Sequence, residues 1–186
     1  ADVSHHRIRS IATRFRFDLV CEMKLTPEQV TVIVDTREQK PFELAPLLVQ
    51  PGTLATGDYS VVGMEESVCL ERKELDDLIA CCTVERERFE RELQRMRAYS
   101  HRAVIVEAPW VQVVLGNYRS RMNSKAATHS ILSFMAHNSV PFLFAGNREM
   151  AQEAARYWLF SCAGKLHERA ERFRKVVAAM QAAVSR

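Results

Sequence analysis

Ser67-Val68-Cys69-Leu70-Glu71-Arg72-Lys73 is the stretch on which both the fold and the chemistry turn. It opens apolar and ends in three charges, the pattern of a buried strand with polar groups at its C-terminal end. Successive strand side chains point to opposite faces, so Glu71 and Lys73 share one face and Arg72 takes the other. Leu75, Leu78, Ile79 and Cys82 then recur at helical spacing. Upstream, Thr31–Asp35 (TVIVD) reads as a buried strand ending in an acid, and Gly57-Asp58 as a turn before a strand from Tyr59 to Val62.

Working further outward, a helix is expected from Val84 to Tyr99, with Phe89, Leu93 and Met96 on one face. A strand follows at Ala103–Glu107, a helix start at Pro109, a helix over Ala126–Ala136 and an edge strand at Pro141–Phe144. Arg148–Phe160 reads as a helix, Gly164 as an interruption, and Lys165 to Met180 as a last helix. Strands alternating with helices predict an α/β domain, a central mixed β-sheet flanked by helices. Residues 1–29 form an unassigned N-terminal extension: Arg7, Arg9, Arg14 and Arg16 alternate with Ile8, Ile11, Phe15 and Phe17, compatible with a strand or a short helix. Residues 30–186 are expected to form a single domain.

Composition narrows the class. With 186 residues, 47% hydrophobic and 26% charged, this is an ordinary globular chain rather than a disordered one. No apolar run approaches the roughly 18 residues of a membrane span. His5, His6, Arg7 and Arg9 are not followed by a signal-peptide core, so no membrane is expected and the location reads as intracellular: cytoplasmic in a prokaryote or virus, nuclear in a eukaryote. The five cysteines, Cys21, Cys69, Cys81, Cys82 and Cys162, have no zinc-ligand spacing and read as free thiols. A net charge of +3 permits a nucleic-acid partner without demanding one.

The chemistry concentrates between Asp35 and Asp77. If Asp58 closes on the face that carries Glu71 and Lys73, two carboxylates and an ammonium converge. Hard cations such as Mg²⁺ take oxygen ligands and keep several waters, so such a pair can hold one ion against a phosphate. The ammonium can orient or deprotonate a water and stabilise developing charge. That arrangement suits phosphodiester hydrolysis with no His or Cys nucleophile. A lone Glu-Arg-Lys would be a solvated charge cluster, but here it follows an apolar strand and two further acidic segments.

Val34-Asp35-Thr36-Arg37-Glu38, Gly57-Asp58-Tyr59 and Glu71-Arg72-Lys73-x-x-x-Asp77 together resemble the nuclease domain of the XPF family of structure-specific DNA endonucleases. The resemblance is firm over about Val30 to Met96 and extends through the strand–helix pattern toward Leu166. It implies a restriction-endonuclease-like core and Mg²⁺- or Mn²⁺-dependent cleavage of branched, flap or fork DNA in repair or recombination. It implies catalytic roles for Asp58, Glu71 and Lys73, and metal binding by Asp58 and Glu71 with Glu38 and Asp35 upstream. Arg37, Arg72 and Asp77 match supporting positions, and the Arg72 carbonyl matches one that reaches the metal in related sites. Family members usually carry a tandem helix-hairpin-helix module, and no hairpin signature is seen here, so this sequence reads as a minimal or excised nuclease domain.

Arg86, Arg88, Arg119 and Arg121 are candidate DNA contacts, although the glutamates around Arg88, Arg91 and Arg95 equally suit a solvated helix. Leu166, Phe173 and Val177 follow coiled-coil-like spacing, and a homodimer or heterodimer is expected. Two other readings use the same residues: a DNA-binding or scaffolding partner with a nuclease-like fold and weak or no activity, and an unrelated α/β phosphohydrolase.

Overall fold

A computed structural model describes residues 25–184. Its centre is a six-stranded sheet in the order β2-β1-β3-β4-β5-β6. The strands are β1 (Thr31–Asp35), β2 (Leu48–Gly52), β3 (Tyr59–Val61), β4 (Val68–Lys73), β5 (His101–Val106) and β6 (Phe142–Phe144). β1 pairs parallel with β2 and antiparallel with β3, β3 pairs antiparallel with β4, and β4, β5 and β6 run parallel. The helices are α1 (Leu75–Cys81), α2 (Arg86–Met96), α3 (Trp110–Leu115), α4 (Ser124–Asn138) and α5 (Arg148–Val184). The mixed α/β sheet with flanking helices is the one the sequence predicts.

The strand alternation divides the core. Val68 and Leu70 of β4 join Val32, Val34, Tyr59 and Ile105 on the face covered by Ala151, Ala155 and Leu159 of α5. Cys69 points the other way, with Val104 and Val106, into the layer of α1, α2 and α4. Extended two residues at a time, that phase sends Glu71 and Lys73 toward α2 and Arg72 toward α5. β4 is buried along its whole length, so its terminal charges enter the protein rather than water.

Three features differ from the sequence reading. β2 had no counterpart in it: Pro51 and Gly52 within Leu48–Gly52 argue against a strand, yet the strand exists because it lies at the edge of the sheet, where a missing N–H is tolerated. Gly164 does not interrupt a helix. α5 runs unbroken for 37 residues, about 55 Å at 1.5 Å per residue. A helical glycine costs only about 1 kcal/mol, and the buried Cys162 and Ala163 anchor that turn on the core. The extension boundary also moves: Leu25 already packs on the core, and a short 3-10 turn at Pro27–Gln29 leads into β1. The basic–apolar alternation read between Arg7 and Phe17, and Cys21, lie outside the described residues.

Beyond Leu166, which rests on the core, α5 is largely exposed. Phe173, Val176 and Met180 there are open to solvent. Among the described residues no helix is long and apolar enough to cross a membrane, and Cys69, Cys81, Cys82 and Cys162 are free, buried thiols.

Candidate active site

The site forms where β4 ends beside the turn that precedes β3. Gly57 adopts a φ of +80°, and a Cβ there would fall 2.6 Å from Cys69 Sγ and 3.1 Å from the Leu70 carbonyl, so only glycine brings this turn onto β4. The turn places Asp58 against the strand, where its Oδ2 accepts the Arg72 N–H at 2.7 Å. Lys73 Nζ donates to Glu71 Oε1, as their shared face requires. The Lys73 ammonium lies 5.3 Å from the centre of the Phe89 ring of α2. Glu71 is only 3% exposed, and its second oxygen, Oε2, is buried with no hydrogen-bond partner.

Burial acts on all three groups. It pushes the Asp58 carboxyl up to about 6 against the opposing Arg72 N–H and Lys73 ammonium. It drives the Glu71 carboxyl well above its ordinary value, although Lys73 works in the opposite direction. For Lys73 burial favours the neutral amine, but Glu71 and Glu92 outweigh it and the group stays above the ordinary lysine range. The cluster therefore holds a firmly charged ammonium between carboxylates that have lost most of their water.

Arg72 leaves the strand on the opposite side, where it ties the site to the rest of the fold. It pairs with Glu107 and Glu74, lies 3.5 Å from Glu38 Oε1, and stacks over Phe42. Glu107 also receives Arg148 of α5 at 2.8 Å. Glu38 accepts the Lys40 N–H at 2.6 Å and lines the open cleft. That cleft, of about 400 Å³, is walled by Arg37, Glu38, Asp58, Lys73, Asp77 and Arg88 among others.

Asp35 lies beside the cluster, its N–H donating to the Asp58 carbonyl at 2.8 Å, but its carboxylate, expected as a metal ligand, is engaged by other donors. Its oxygens accept from Arg37 Nε at 2.6 Å, Arg37 Nη2 and N–H at 2.9 Å each, and the Leu54 N–H at 2.7 Å. The Arg37 guanidinium, with these N–H groups, holds its carboxyl down to about 2. Arg86 also lies elsewhere: it bonds Ser130 and Glu90 and stacks on Phe134 of α4, so it is a packing cation rather than a cleft residue. Arg88 faces the cleft, paired with Glu85. Arg119 and Arg121 are exposed; Arg119 meets Asp76 at the mouth of a neighbouring cleft of about 520 Å³, also lined by Glu74, Glu107 and Tyr118.

Two acids near the site escaped the sequence reading. Glu107 follows β5 and reads there as the polar end of a strand; its role appears only when the parallel β4–β5 register sets it beside Arg72. Glu92 sits among the alternating charges of α2 and looks solvated, yet its Oε2 is buried without a partner. Its position three residues after Phe89 was the available signal.

Among the described residues, no three His, Cys, Asp or Glu side chains gather closely enough to hold an ion between them. The donor set nonetheless suits a cation that brings its own water. Glu71 Oε2 is a buried carboxylate oxygen with nothing to bond, Asp58 lines the cleft and is close enough to raise the Glu71 carboxyl, and both are hard oxygen donors of the kind Mg²⁺ and Mn²⁺ prefer.

The ERCC4 domain family matches residues 34–156. The fold is similar to that of XPF from Aeropyrum pernix, with a TM-score of 0.56 and 20% identity over 69% of this chain and 59% of that one. It is also similar to XPF from Aeropyrum pernix in complex with DNA, with a TM-score of 0.53 and 20% identity over 76% of this chain and 66% of that one. The chain thus spans about three-fifths to two-thirds of the length of these structures. No curated protein matches the sequence.

Proposed function

Because the chain belongs to the ERCC4 domain family, as an XPF-type nuclease domain, we propose that it is a divalent-metal-dependent DNA endonuclease that hydrolyses phosphodiester bonds in branched, flap or fork DNA. The observation that carries the reading is the unpartnered, buried Oε2 of Glu71, whose other oxygen bonds Lys73, which with Asp58 lines the open cleft. An anionic oxygen without a partner costs several kcal/mol, a deficit that a bound cation removes.

Asp58 and Glu71 would hold Mg²⁺ or Mn²⁺, with Glu38 near enough to the cleft to bind one of its waters. Bound there, the ion supplies a Lewis acid for the phosphodiester oxygen and a water of lowered pKa. Lys73, an ammonium bonded to Glu71, would stabilise the negative charge that builds on the phosphoryl oxygens. Phe89 beneath it and the Glu71 partner fix its direction. Arg72 holds the end of β4 through Glu107, Glu74 and Glu38. Arg37 and Arg88 at the cleft wall, and the exposed Arg119 and Arg121 beyond it, would contact the DNA backbone. The exposed apolar residues of the projecting α5, with Phe173 foremost, would serve a second subunit, either another copy or a different chain.

Labelled duplex, flap, fork and single-stranded DNA, incubated with the chain with and without Mg²⁺ or Mn²⁺, test the reading. Metal-dependent cutting near the branch is the expected result. No cutting of any substrate, or undiminished cutting in chelator, would refute it.

A further inference from the structure

We propose that Glu92 is a positioning residue for Lys73: it receives the ammonium when a divalent cation claims Glu71. The proposal rests on the metal reading above and extends it to a residue on a different element.

The geometry locates Glu92 from both sides. Three residues before it on α2, Phe89 lies under the Lys73 ammonium at 5.3 Å. Three residues after it, Arg95 Nε donates to Thr56 Oγ1 at 3.0 Å, on the segment that leads into Gly57 and Asp58. Residues three apart share one face of a helix, so Glu92 faces the end of β4 between these two contacts. The cations on its own helix have other partners: Arg88 pairs with Glu85, Arg91 with Glu87, and Arg86 with Glu90. Glu92 Oε2 is left buried without a hydrogen bond, the same condition as Glu71 Oε2. Among the described residues these are the two buried carboxylate oxygens without a partner; Lys73 is a cation that feels the charge of both, while Arg37 and Arg88 also feel Glu92.

The two orphaned oxygens have one explanation in common. Lys73 is bonded to Glu71 Oε1, an oxygen of the residue proposed to hold the metal. A cation bound by Glu71 draws that carboxylate's charge away from Lys73 and repels the ammonium. A buried ammonium without an anion is strongly unfavourable, so metal binding would be opposed unless a second carboxylate stood ready. Glu92 is that carboxylate, and Phe89 keeps the ammonium on the path between them. In this arrangement Glu92 strengthens metal binding through Lys73 and keeps the ammonium in the site for the chemistry.

A double-mutant cycle on Mn²⁺ binding by the full chain, read by electron paramagnetic resonance or calorimetry without DNA, tests this. Glu92→Gln is expected to weaken Mn²⁺ binding about tenfold in the native background. In Lys73→Ala, which frees Glu71 and binds Mn²⁺ more tightly, the same change is expected to weaken binding by less than about twofold. Glu92→Asp keeps the charge but withdraws it by one methylene, and is expected to weaken binding as Glu92→Gln does. Equal weakening by Glu92→Gln with and without Lys73, or native affinity in Glu92→Asp, would overturn the positioning role. Glu71→Gln separates the two levels. If Glu71→Gln abolishes Mn²⁺ binding while the cycle shows no coupling, the metal reading stands and this inference falls. If the native chain binds no Mn²⁺, both fall.

Discussion

At the end of β1, Asp35 is shielded from solvent with its oxygens met by Arg37 and the Leu54 N–H, whereas at the end of β4, two strands away, Glu71 lies deeper, with one oxygen met by nothing. Burying a carboxylate is unfavourable unless donors replace its water. At Asp35 the replacement is complete and internal, and the carboxyl is held down to about 2. At Glu71 and Asp58 it is incomplete, and burial pushes both upward, Asp58 to about 6. Two acidic strand ends that look alike as text thus differ: one closes a loop, and the other keeps a buried oxygen without a partner, which the proposed cation would supply.

The sharpest way to break that contrast is to neutralise the unsatisfied side. Asp58→Asn is expected to reduce metal-dependent cleavage by at least about a thousandfold, in line with loss of several kcal/mol of charge stabilisation. It is expected to leave the thermal midpoint of the metal-free chain unchanged or higher, because a neutral amide suits a desolvated site. Glu71→Gln should lose activity equally but be less benign to stability, since Lys73 loses its bonded anion and is left with Glu92. Native cleavage rates in either variant would remove the acids from the site. Lys73→Ala follows in size, with about two or more decades lost in rate. Lys73→Arg should rescue poorly, because a planar fork cannot replace a compact charge packed over Phe89.

Asp35→Asn should behave in the opposite sense. It breaks the paired bonds to Arg37, and is expected to cost about 2 kcal/mol of stability, read from the denaturant midpoint. Cleavage by the folded fraction should stay within a few fold of native. A variant as stable as native but inactive would mean that Asp35 belongs with the metal ligands after all.

Which parts of this were legible in advance follows from what a linear pattern encodes. The alternation of β4 was enough to put Glu71 and Lys73 on one face and Arg72 on the other, because strand periodicity is local. β2 was hidden because its proline is acceptable only at a sheet edge, and being an edge is a property of the assembled sheet. Gly164 was misread because propensity is weak beside the packing of Cys162 and Ala163. Asp35 and Asp58 could not be told apart, since the donors that saturate Asp35 include the Leu54 N–H, 19 positions away. Glu92 and Arg86 sit in the same run of alternating charges, and only the packing of α2 shows which of them turn inward.

The pH dependence of stability sharpens the contrast further. Asp35 has a folded value of about 2, below its ordinary 3.8, so the unfolded chain takes up the proton first. Its stabilisation is complete above about pH 4 and is lost as pH falls toward 2. Asp58 has a folded value of about 6, above 3.8, so the folded chain takes up the proton first. Its contribution is present below about pH 4 and is lost as pH rises through 6. Denaturant titrations in chelator should therefore show Asp58→Asn with a shallower downward slope between pH 4 and 6 than the native chain, Glu71 supplying the remainder. Saturating Mg²⁺ should reverse that slope, because the cation binds the carboxylate form. Identical slopes for native and Asp58→Asn would mean that Asp58 is not desolvated in solution.

The smallest expected effect tests whether the same contrast holds for cations. Arg86 is spent within the protein: it bonds Ser130 at 3.1 Å and Glu90 at 3.0 Å, and its guanidinium lies 4.9 Å from the Phe134 ring centre. Arg88, two residues on, has Glu85 as its partner at 2.6 Å and a side chain 60% exposed at the cleft. An exposed pair of that kind is worth about 0–1 kcal/mol, so a phosphate can take Arg88 from Glu85 at little cost. Prying Arg86 from an aromatic face and two hydrogen-bond partners costs more. Arg88→Ala is therefore expected to weaken DNA binding a few fold, with the slope of log affinity against log salt falling by about one. Arg86→Ala should leave both within experimental reach of native and instead cost about 1 kcal/mol of stability. Fluorescence anisotropy with a labelled fork across a salt series, alongside a denaturant melt of each variant, separates the two. Reversed outcomes would place the DNA along the outer face of α2 and α4 instead of across the cleft.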